Sequence, residues 1–296
     1  MSIVADIQTR IEAGDGNTAL HQVEQFRERA DLLDAMELQV VDALDALAAT
    51  YPHDAHISAL HARALELQHT LVSKNKQFCD QLRAQIAAGK YDHGALLQTF
   101  IRNSAPHPND DLLYDSLDML VNGILQTGSP PEAGATLERE MVGYQPTPAR
   151  LIVELVQRAQ LDHADVFYDL GSGLGHVALV AALLSGARTV GVEIDASYHA
   201  CARRCAALLH LHQVEFRNED ARTADFSDGT LFYLYTPFQG TLLQTVLDRL
   251  HHEAKQRSIR ICTYGPCTTT VAQQSWLIPD HDPIRCNTLA FFHSTT

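Results

Sequence analysis

Along the first ninety residues, apolar side chains recur at helical spacing. Leu20, Val23, Phe26, Ala30, Leu33, Val40, Leu44 and Leu47 fall at steps of three and four or their sums, and Ile57, Leu60, Ala64, Leu67, Leu71, Phe78, Leu82 and Ile86 do so again after a break at Tyr51-Pro52. The pattern predicts two long antiparallel helices, the second stopped by Gly89, with shorter helices near 95–102 and 111–125 completing a bundle. Thr127-Gly128-Ser129-Pro130-Pro131-Glu132-Ala133-Gly134 collects helix-breaking residues and reads as the linker. We therefore expect a helical domain over 1–138 and a second domain over 139–296. In that second part the period changes. Thr147 is placed to cap a helix with Pro148 at its first position, running to about Gln160. Short apolar runs near 166–170, 188–193, 213–217, 231–235 and 258–264 alternate with helical stretches, predicting an α/β sheet. Two last runs, Trp276-Leu277-Ile278 and Leu289-Ala290-Phe291-Phe292, flank Pro279-Asp280-His281-Asp282-Pro283 and read as a closing hairpin.

The first of those runs carries the chemistry. Val166-Phe167-Tyr168-Asp169-Leu170 ends on a carboxylate and turns through Gly171, Gly173 and Gly175 into the apolar helix 177–184, the arrangement of a nucleotide-cofactor site. A dinucleotide fingerprint needs glycine at position 176, where this chain has His176. Asp169 also stands where a pyrophosphate would approach, and like charges about 4 Å apart repel by roughly 4 kcal/mol at an effective dielectric of 20. S-adenosylmethionine carries an ammonium and a sulfonium instead, so an acid there attracts it. Glu193, at the end of the next strand and about 20 residues past the turn, is placed to accept from both ribose hydroxyls. Asn218-Glu219-Asp220-Ala221 follows the third strand and offers acceptors and amides to an adenine edge.

Asp169-Leu170-Gly171-Ser172-Gly173-x-Gly175, then Gly191-Val192-Glu193-Ile194-Asp195, preceded by Gly143-Tyr144-Gln145-Pro146-Thr147-Pro148, resembles the class I S-adenosylmethionine-dependent methyltransferases. Within them the chain is most similar to the branch of non-SET histone-lysine and mitochondrial seven-strand lysine methyltransferases. The resemblance runs from Tyr144 to the C-terminus. It implies a Rossmann-like sheet closed by a C-terminal antiparallel hairpin, behind an all-α domain. It implies, further, that Asp169, Gly171, Gly173 and Glu193 bind the cofactor, that Asp220 sits by the adenine, that Tyr144 and Thr147 close the methionine end, and that the acceptor is a lysine amine of a protein. Tyr235-Thr236-Pro237-Phe238 occupies the place where acceptor meets methyl group, although neither the Asn/Asp-Pro-Pro-aromatic motif of nucleic-acid enzymes nor the paired asparagines of histone enzymes is present. Tyr235 is thus the candidate catalytic residue, with Thr236 and Phe238 on the substrate side.

Charge narrows the acceptor. A net charge of −14 opposes a phosphate backbone, which leaves a protein or a small molecule. The longest apolar run has eight residues and no export signal opens the chain, so we expect a cytoplasmic enzyme without a membrane anchor. Cys79, Cys201, Cys205, Cys262, Cys267 and Cys286 show no Cys-x-x-Cys pair, and Cys201 with Cys205 reads as a small apolar pair on a helix in preference to a zinc site. His176 is read as capping the turn, with contact to the cofactor carboxylate as the other reading. The helical half serves substrate recognition, cofactor cover or homodimerisation. A small-molecule O- or N-methyltransferase and a catalytically silent cofactor-binding scaffold are the rival readings.

Overall fold

The computed structural model describes residues 3–22, 24–104, 114–128, 131, 134, 138–281 and 283–295 of the 296-residue chain. The expected first long helix is present as α2 (Phe26–Met36) and α3 (Asp42–Thr50), which are joined by a π-helical turn over Glu37–Val41, after an initial α1 (Ile3–Gly16). The wider turn keeps Val40 and Leu44 buried while Leu38 points outward. Asp54 then caps α4 (Ala55–Ala87), its Oδ1 accepting from His56 N and Ile57 N at 2.8 and 3.1 Å. The hairpin is antiparallel, since Arg29 meets Asn75 whereas the later Asp45 meets the earlier His61. The Arg29 guanidinium is buried and donates to Asn75 Oδ1 and to the carbonyls of Leu20 and Gln22, so its desolvation is met by acceptors.

Next come α5 (His93–Asn103) and α6 (Ser116–Leu125), the start of the predicted 111–125 helix lying outside the described residues. Asp115 and Asp118 form a capping box at the head of α6. Then α7 (Ala149–Ala159) leads into β1 (Val166–Leu170), α8 (His176–Ser185), β2 (Arg188–Glu193), α9 (Ala196–Leu208), β3 (Val214–Asn218) and β4 (Leu231–Tyr235). The chain ends with α10 (Gly240–Ala254), β5 (Arg260–Tyr264), α11 (Cys267–Ala272), β6 (Leu277–Pro279) and β7 (Ala290–Ser294). The seven strands lie in the order β3-β2-β1-β4-β5-β7-β6, parallel except that β7 runs antiparallel to β5 and β6. The closing hairpin expected from the sequence is therefore present, with Asp282 of its connection outside the described residues. Strand order reverses between β1 and β4, which opens a crevice at their carboxyl ends, where ligands bind in open α/β sheets.

Packing does not stop at the expected boundary after residue 138. Phe78, Phe100, Leu117 and Leu120 share one apolar cluster with Ile152, Val156, Leu179 and Leu183, while α1 to α4 enclose a second cluster around Leu44 and Leu60. His93 Nδ1 lies 2.8 Å from Leu183 O of α8, and His210 Nδ1, just past α9, lies 2.8 Å from Ala87 O, tying the α4–α5 connection to the helices that cover the sheet. At the α4–α6 crossing a Cβ on Gly123 would come 2.5 Å from Cys79 Sγ. Overpacking of this kind costs about 1–3 kcal/mol, so Gly123→Val should lower Tm by roughly 2–8 °C. A shared core makes the transition single. Trp276, the chain's one tryptophan, reports on the sheet, and far-ultraviolet circular dichroism reports on the helices. Both should move together in Gly123→Val; a shift confined to the helical signal would show two independent cores.

Candidate active site

The end of β1 is folded onto the end of β2 by backbone hydrogen bonds. Gly171 N and Ser172 N both donate to Val192 O, at 2.9 and 3.0 Å, and Gly173 N donates to Glu193 Oε2 at 2.8 Å. Gly171 and Gly173 have φ of +79° and +52°, and a Cβ would come 2.4 Å from Pro237 Cβ at the first and 2.5 Å from the Tyr144 ring at the second. Sterics and backbone angle thus both exclude a side chain at either position. The other Glu193 oxygen, Oε1, accepts from Asp195 N at 2.8 Å. Each carboxylate oxygen keeps a free acceptor direction after these bonds, so the group is fixed in space and still able to take two hydroxyls. Its burial raises its pKa.

Asp169 is only 3 % exposed, and its Oδ2 has no hydrogen-bond partner. Burial, reinforced by the neighbouring Glu193 carboxylate, pushes it up to about 8. The Ser172 hydroxyl, 7 % exposed, is likewise unpartnered. Buried polar groups are as a rule hydrogen-bonded, and two orphans beside one turn mark a place built for a ligand. They line a cavity of about 670 Å³ together with Tyr144, Thr147, Gly171, Gly173, Glu193, Asp220, Tyr235, Thr236 and Phe238. All ten residues named for the cofactor, catalytic and substrate roles line this cavity, while Gly175 and Asn218 do not. Its size is that of a small-molecule site, and its acids suit a cationic ligand.

A segment running from Glu138 to Pro148 covers the opening. Met141 bridges Phe238, Val142 N donates to Pro237 O at 3.1 Å, and Gln239 N donates to Glu140 O at 2.8 Å. Glu140 Oε2 accepts from Leu242 N at 2.9 Å, capping the start of α10. Arg222 clasps Glu138 on one side and Asp220 on the other, at 2.7 and 2.6 Å. Asp220 therefore lines the cavity with its carboxylate held low in pKa by Arg222. Thr147 does not cap α7: its hydroxyl faces the buried Tyr233 hydroxyl at 3.3 Å, and Asp118 Oδ1 accepts from Ala149 N at 2.8 Å in its place. Tyr144 packs on Tyr198 with ring centroids 5.2 Å apart. His176 contacts the Tyr144 hydroxyl and Asn122, and Gly175, in the left-handed conformation, is the residue that precedes the helix as its cap.

The ends of β4 and β5 are aromatic. Tyr235 and Tyr264, paired across β4 and β5, hold their rings 5.0 Å apart at 60°. Burial, with Tyr114 and Tyr264 alongside, pushes the Tyr235 hydroxyl up to about 12, so it remains protonated and donates hydrogen bonds near neutral pH. Thr236 Oγ1 donates to Tyr264 O and accepts from Cys267 N, both at 3.1 Å, which leaves it a structural bond where a substrate contact was expected. Phe238 is buried in the core cluster beneath α10. Sequence reasoning missed Asp118, Asn122 and Tyr114, because their partners lie 31, 54 and 32 residues away in chain and only folding brings them together. The Asp115-x-x-Asp118 spacing of the capping box marks the start of α6 but carries no sign of the second helix that Asp118 serves. Cys201 and Cys205 are buried on α9, Cys201 Sγ donating to Thr127 O. Among the described residues no helix is long and apolar enough to cross a membrane.

Residues 142–227, less than a third of the chain, match the family described as histone methylation protein DOT1. No curated protein matches the chain. Among solved structures, an RNA methyltransferase from Salinibacter ruber in complex with S-adenosyl-L-homocysteine is similar at 28% identity, over 51% of this chain and 93% of that one, with a TM-score of 0.40. A precorrin-6y C5,15-methyltransferase from Geobacter metallireducens is 15% identical over 55% and 93% of the two chains, TM-score 0.41. A ribosomal protein L11 methylase from Lactobacillus delbrueckii is 14% identical over 53% and 81%, TM-score 0.39. The seven-strand order with its antiparallel β7, the glycine turn tied to Glu193 and the family match over that turn make this a class I fold, and the chain is an S-adenosylmethionine-dependent methyltransferase.

Proposed function

We propose that the methyl acceptor is a lysine amine of a protein. The observation that carries this reading is the aromatic wall of Tyr235 and Tyr264 at the ends of β4 and β5, with Tyr114 nearby. Aromatic faces suit an alkyl stem and attract its ammonium before the proton is lost. The net charge of −14 favours a basic protein over a nucleic acid. The description of the matched family, a histone methylation protein, agrees with it.

In this reading Glu193 accepts from the ribose hydroxyls, Asp169 faces the ammonium, the segment near Asp220 borders the adenine, and Tyr144 and Thr147 close the methionine end. The cofactor, when bound, supplies an electrophilic methyl group on a sulfonium. The protein's part is to align a neutral amine with it and exclude water. None of the three residues expected on the acceptor side offers a base: the Tyr235 hydroxyl stays protonated, Thr236 Oγ1 is engaged internally and Phe238 is apolar. The acceptor proton therefore leaves to solvent before attack, and Tyr235 orients the amine. Incubating a cell lysate with cofactor labelled in the methyl group tests the acceptor. Label in acid-stable methyl-lysine supports the reading; label only in the small-molecule fraction assigns a small-molecule acceptor, and none in either leaves a scaffold.

Glu193→Ala removes a charged acceptor for two hydroxyls and unties Gly173. A charged hydrogen bond contributes about 1.5–3 kcal/mol, so calorimetry with S-adenosylhomocysteine should show affinity at least about tenfold weaker. Unchanged affinity would place the ribose elsewhere.

Asp169 makes binding depend on pH. Its folded pKa, about 8, lies above that of a free carboxylate, so folding without ligand takes up a proton and stability falls as pH rises from about 4 through 8. A ligand ammonium needs the ionised form. Affinity for S-adenosylhomocysteine should thus rise on the order of tenfold per unit between pH 5.5 and 7.5, where an α-amino group is still protonated. Proton release, read by calorimetry in buffers of different ionisation enthalpy, should accompany binding and vanish in Asp169→Asn. Equal affinity across that range would detach Asp169 from the ammonium.

Tyr235 should govern turnover more than cofactor affinity. Tyr235→Phe isolates the hydroxyl, and a loss of kcat of roughly tenfold or more with unchanged cofactor Kd marks a hydrogen bond made in the transfer step. If only Tyr235→Ala lowers the rate, the ring acts as a wall. Full turnover in both would move the acceptor away from β4.

A further inference from the structure

The covering segment is fixed from one side of α6. Tyr114 Oη donates to Pro146 O at 2.7 Å, Asp118 Oδ1 accepts from Ala149 N at 2.8 Å, and Asn122 Oδ1 faces His176 Nε2 at 2.9 Å. Asp118 and Asn122 are four residues apart and share one helix face, with Tyr114 four residues before Asp118, just ahead of the helix. None of these residues belongs to the glycine turn or to the strands that carry the acids. They come from the helical half, for which cofactor cover was one of three roles expected from the sequence.

The third contact has a direction. An amide oxygen only accepts, and Asn122 Oδ1 also takes the Thr127 hydroxyl at 3.3 Å, so the proton sits on His176 Nε2. Burial holds the imidazole down to about 4, which keeps it neutral at physiological pH. Its Nδ1 is then a bare acceptor and receives the Tyr144 hydroxyl at 3.4 Å, the longest link in the chain. At the other end of Tyr144, the ring edge lies against Gly173 so closely that a Cβ there would be 2.5 Å from Cε2. Tyr198 backs the ring at 5.2 Å. The ring is held by packing on Gly173 and Tyr198, and its hydroxyl by the Asn122–His176 pair.

We propose that Asn122 is a positioning residue for the cofactor cavity, acting through His176 to hold the Tyr144 ring against the glycine turn, so that the helical half is a working part of the cofactor site. The proposal is independent of which acceptor is methylated and rests on the cavity holding the adenosyl cofactor.

Asn122 is exposed on α6 and alanine is the best helix former, so Asn122→Ala retains the fold. The full-length chain, Asn122→Ala, Tyr144→Phe and the double variant are titrated with S-adenosylhomocysteine by calorimetry. Each single substitution should weaken binding about three- to tenfold, and the double no more than the worse single, because both break one chain of hydrogen bonds. The ¹⁵N signals of the His176 ring should lose their Nε2–H form in Asn122→Ala, a change that general destabilisation does not produce. Unchanged affinity in Asn122→Ala, with or without a fall in Tm, overturns the proposal, as do losses that multiply in the double variant. If the unmutated chain binds no S-adenosylhomocysteine, the cofactor assignment fails and takes this proposal with it. Retained binding in Asn122→Ala would remove the proposal alone.

Discussion

Two carboxylates, Asp169 and Glu193, are buried at the carboxyl ends of adjacent parallel strands, and no salt bridge to either occurs among the described residues. Burying unpaired acids side by side is costly, and the raised pKa of each states that cost. The two are handled differently. Glu193 is stabilised by two backbone amides, one of which belongs to the glycine turn, so the acid and the turn are set in one step. Asp169 is left with an orphan oxygen, which only a donor arriving from outside satisfies. The covering segment, held at Pro146 by Tyr114, borders that place and leaves it open to a ligand.

The sheet was legible because its signals are local. Each strand is a short apolar run, and Asp169, Gly171, Gly173 and Glu193 are placed by their distance from the ends of those runs. All ten residues expected at the site line one cavity for that reason. Roles that depend on partners far along the chain were less legible. Thr147 carries the sequence signature of a cap, yet burial beside Tyr233 gives its hydroxyl a better partner, and Asp118 takes over the helix end from another element. Asp220 was expected to face adenine with a free carboxylate, which Arg222 two residues later occupies. The π turn at Glu37–Val41 was hidden because its apolar residues still fall at sums of three and four. Helical periodicity reports which face is buried but not the hydrogen-bond pattern that keeps it so.

The helical half follows the same logic. Its apolar stripe predicted a bundle, and α1 to α4 do enclose a core of their own. Yet α5 and α6 bury their apolar faces against α7 and α8, the helices that flank the cofactor turn. A helix packed in this way has its polar face directed along the same seam, where Asp118 meets the start of α7 and Asn122 meets His176 at the start of α8. Apolar burial thus fixes the angle at which those polar groups point, and hydrogen bonds worth about 1 kcal/mol each suffice to select one arrangement of the cover.

Thr236 shows the same economy on the acceptor side. It is a β-branched residue with φ of +42°, a conformation that costs on the order of 1–3 kcal/mol and persists only where surrounding contacts over-determine it. Those contacts are its own hydroxyl's bonds to Tyr264 O and Cys267 N, which join the end of β4 to β5 and to the start of α11. The turn they enforce sets Pro237 against Gly171, closing the acceptor side onto the glycine turn, and leaves Tyr235 beside Tyr264 as the last side chain of the strand. Strain at Thr236 is therefore tied to the distance between the two halves of the site. A residue that relaxed the angle would widen the gap between the end of β4 and the glycine turn, so the unfavourable backbone sits where the strand end, the glycine turn and the Tyr235–Tyr264 pair converge.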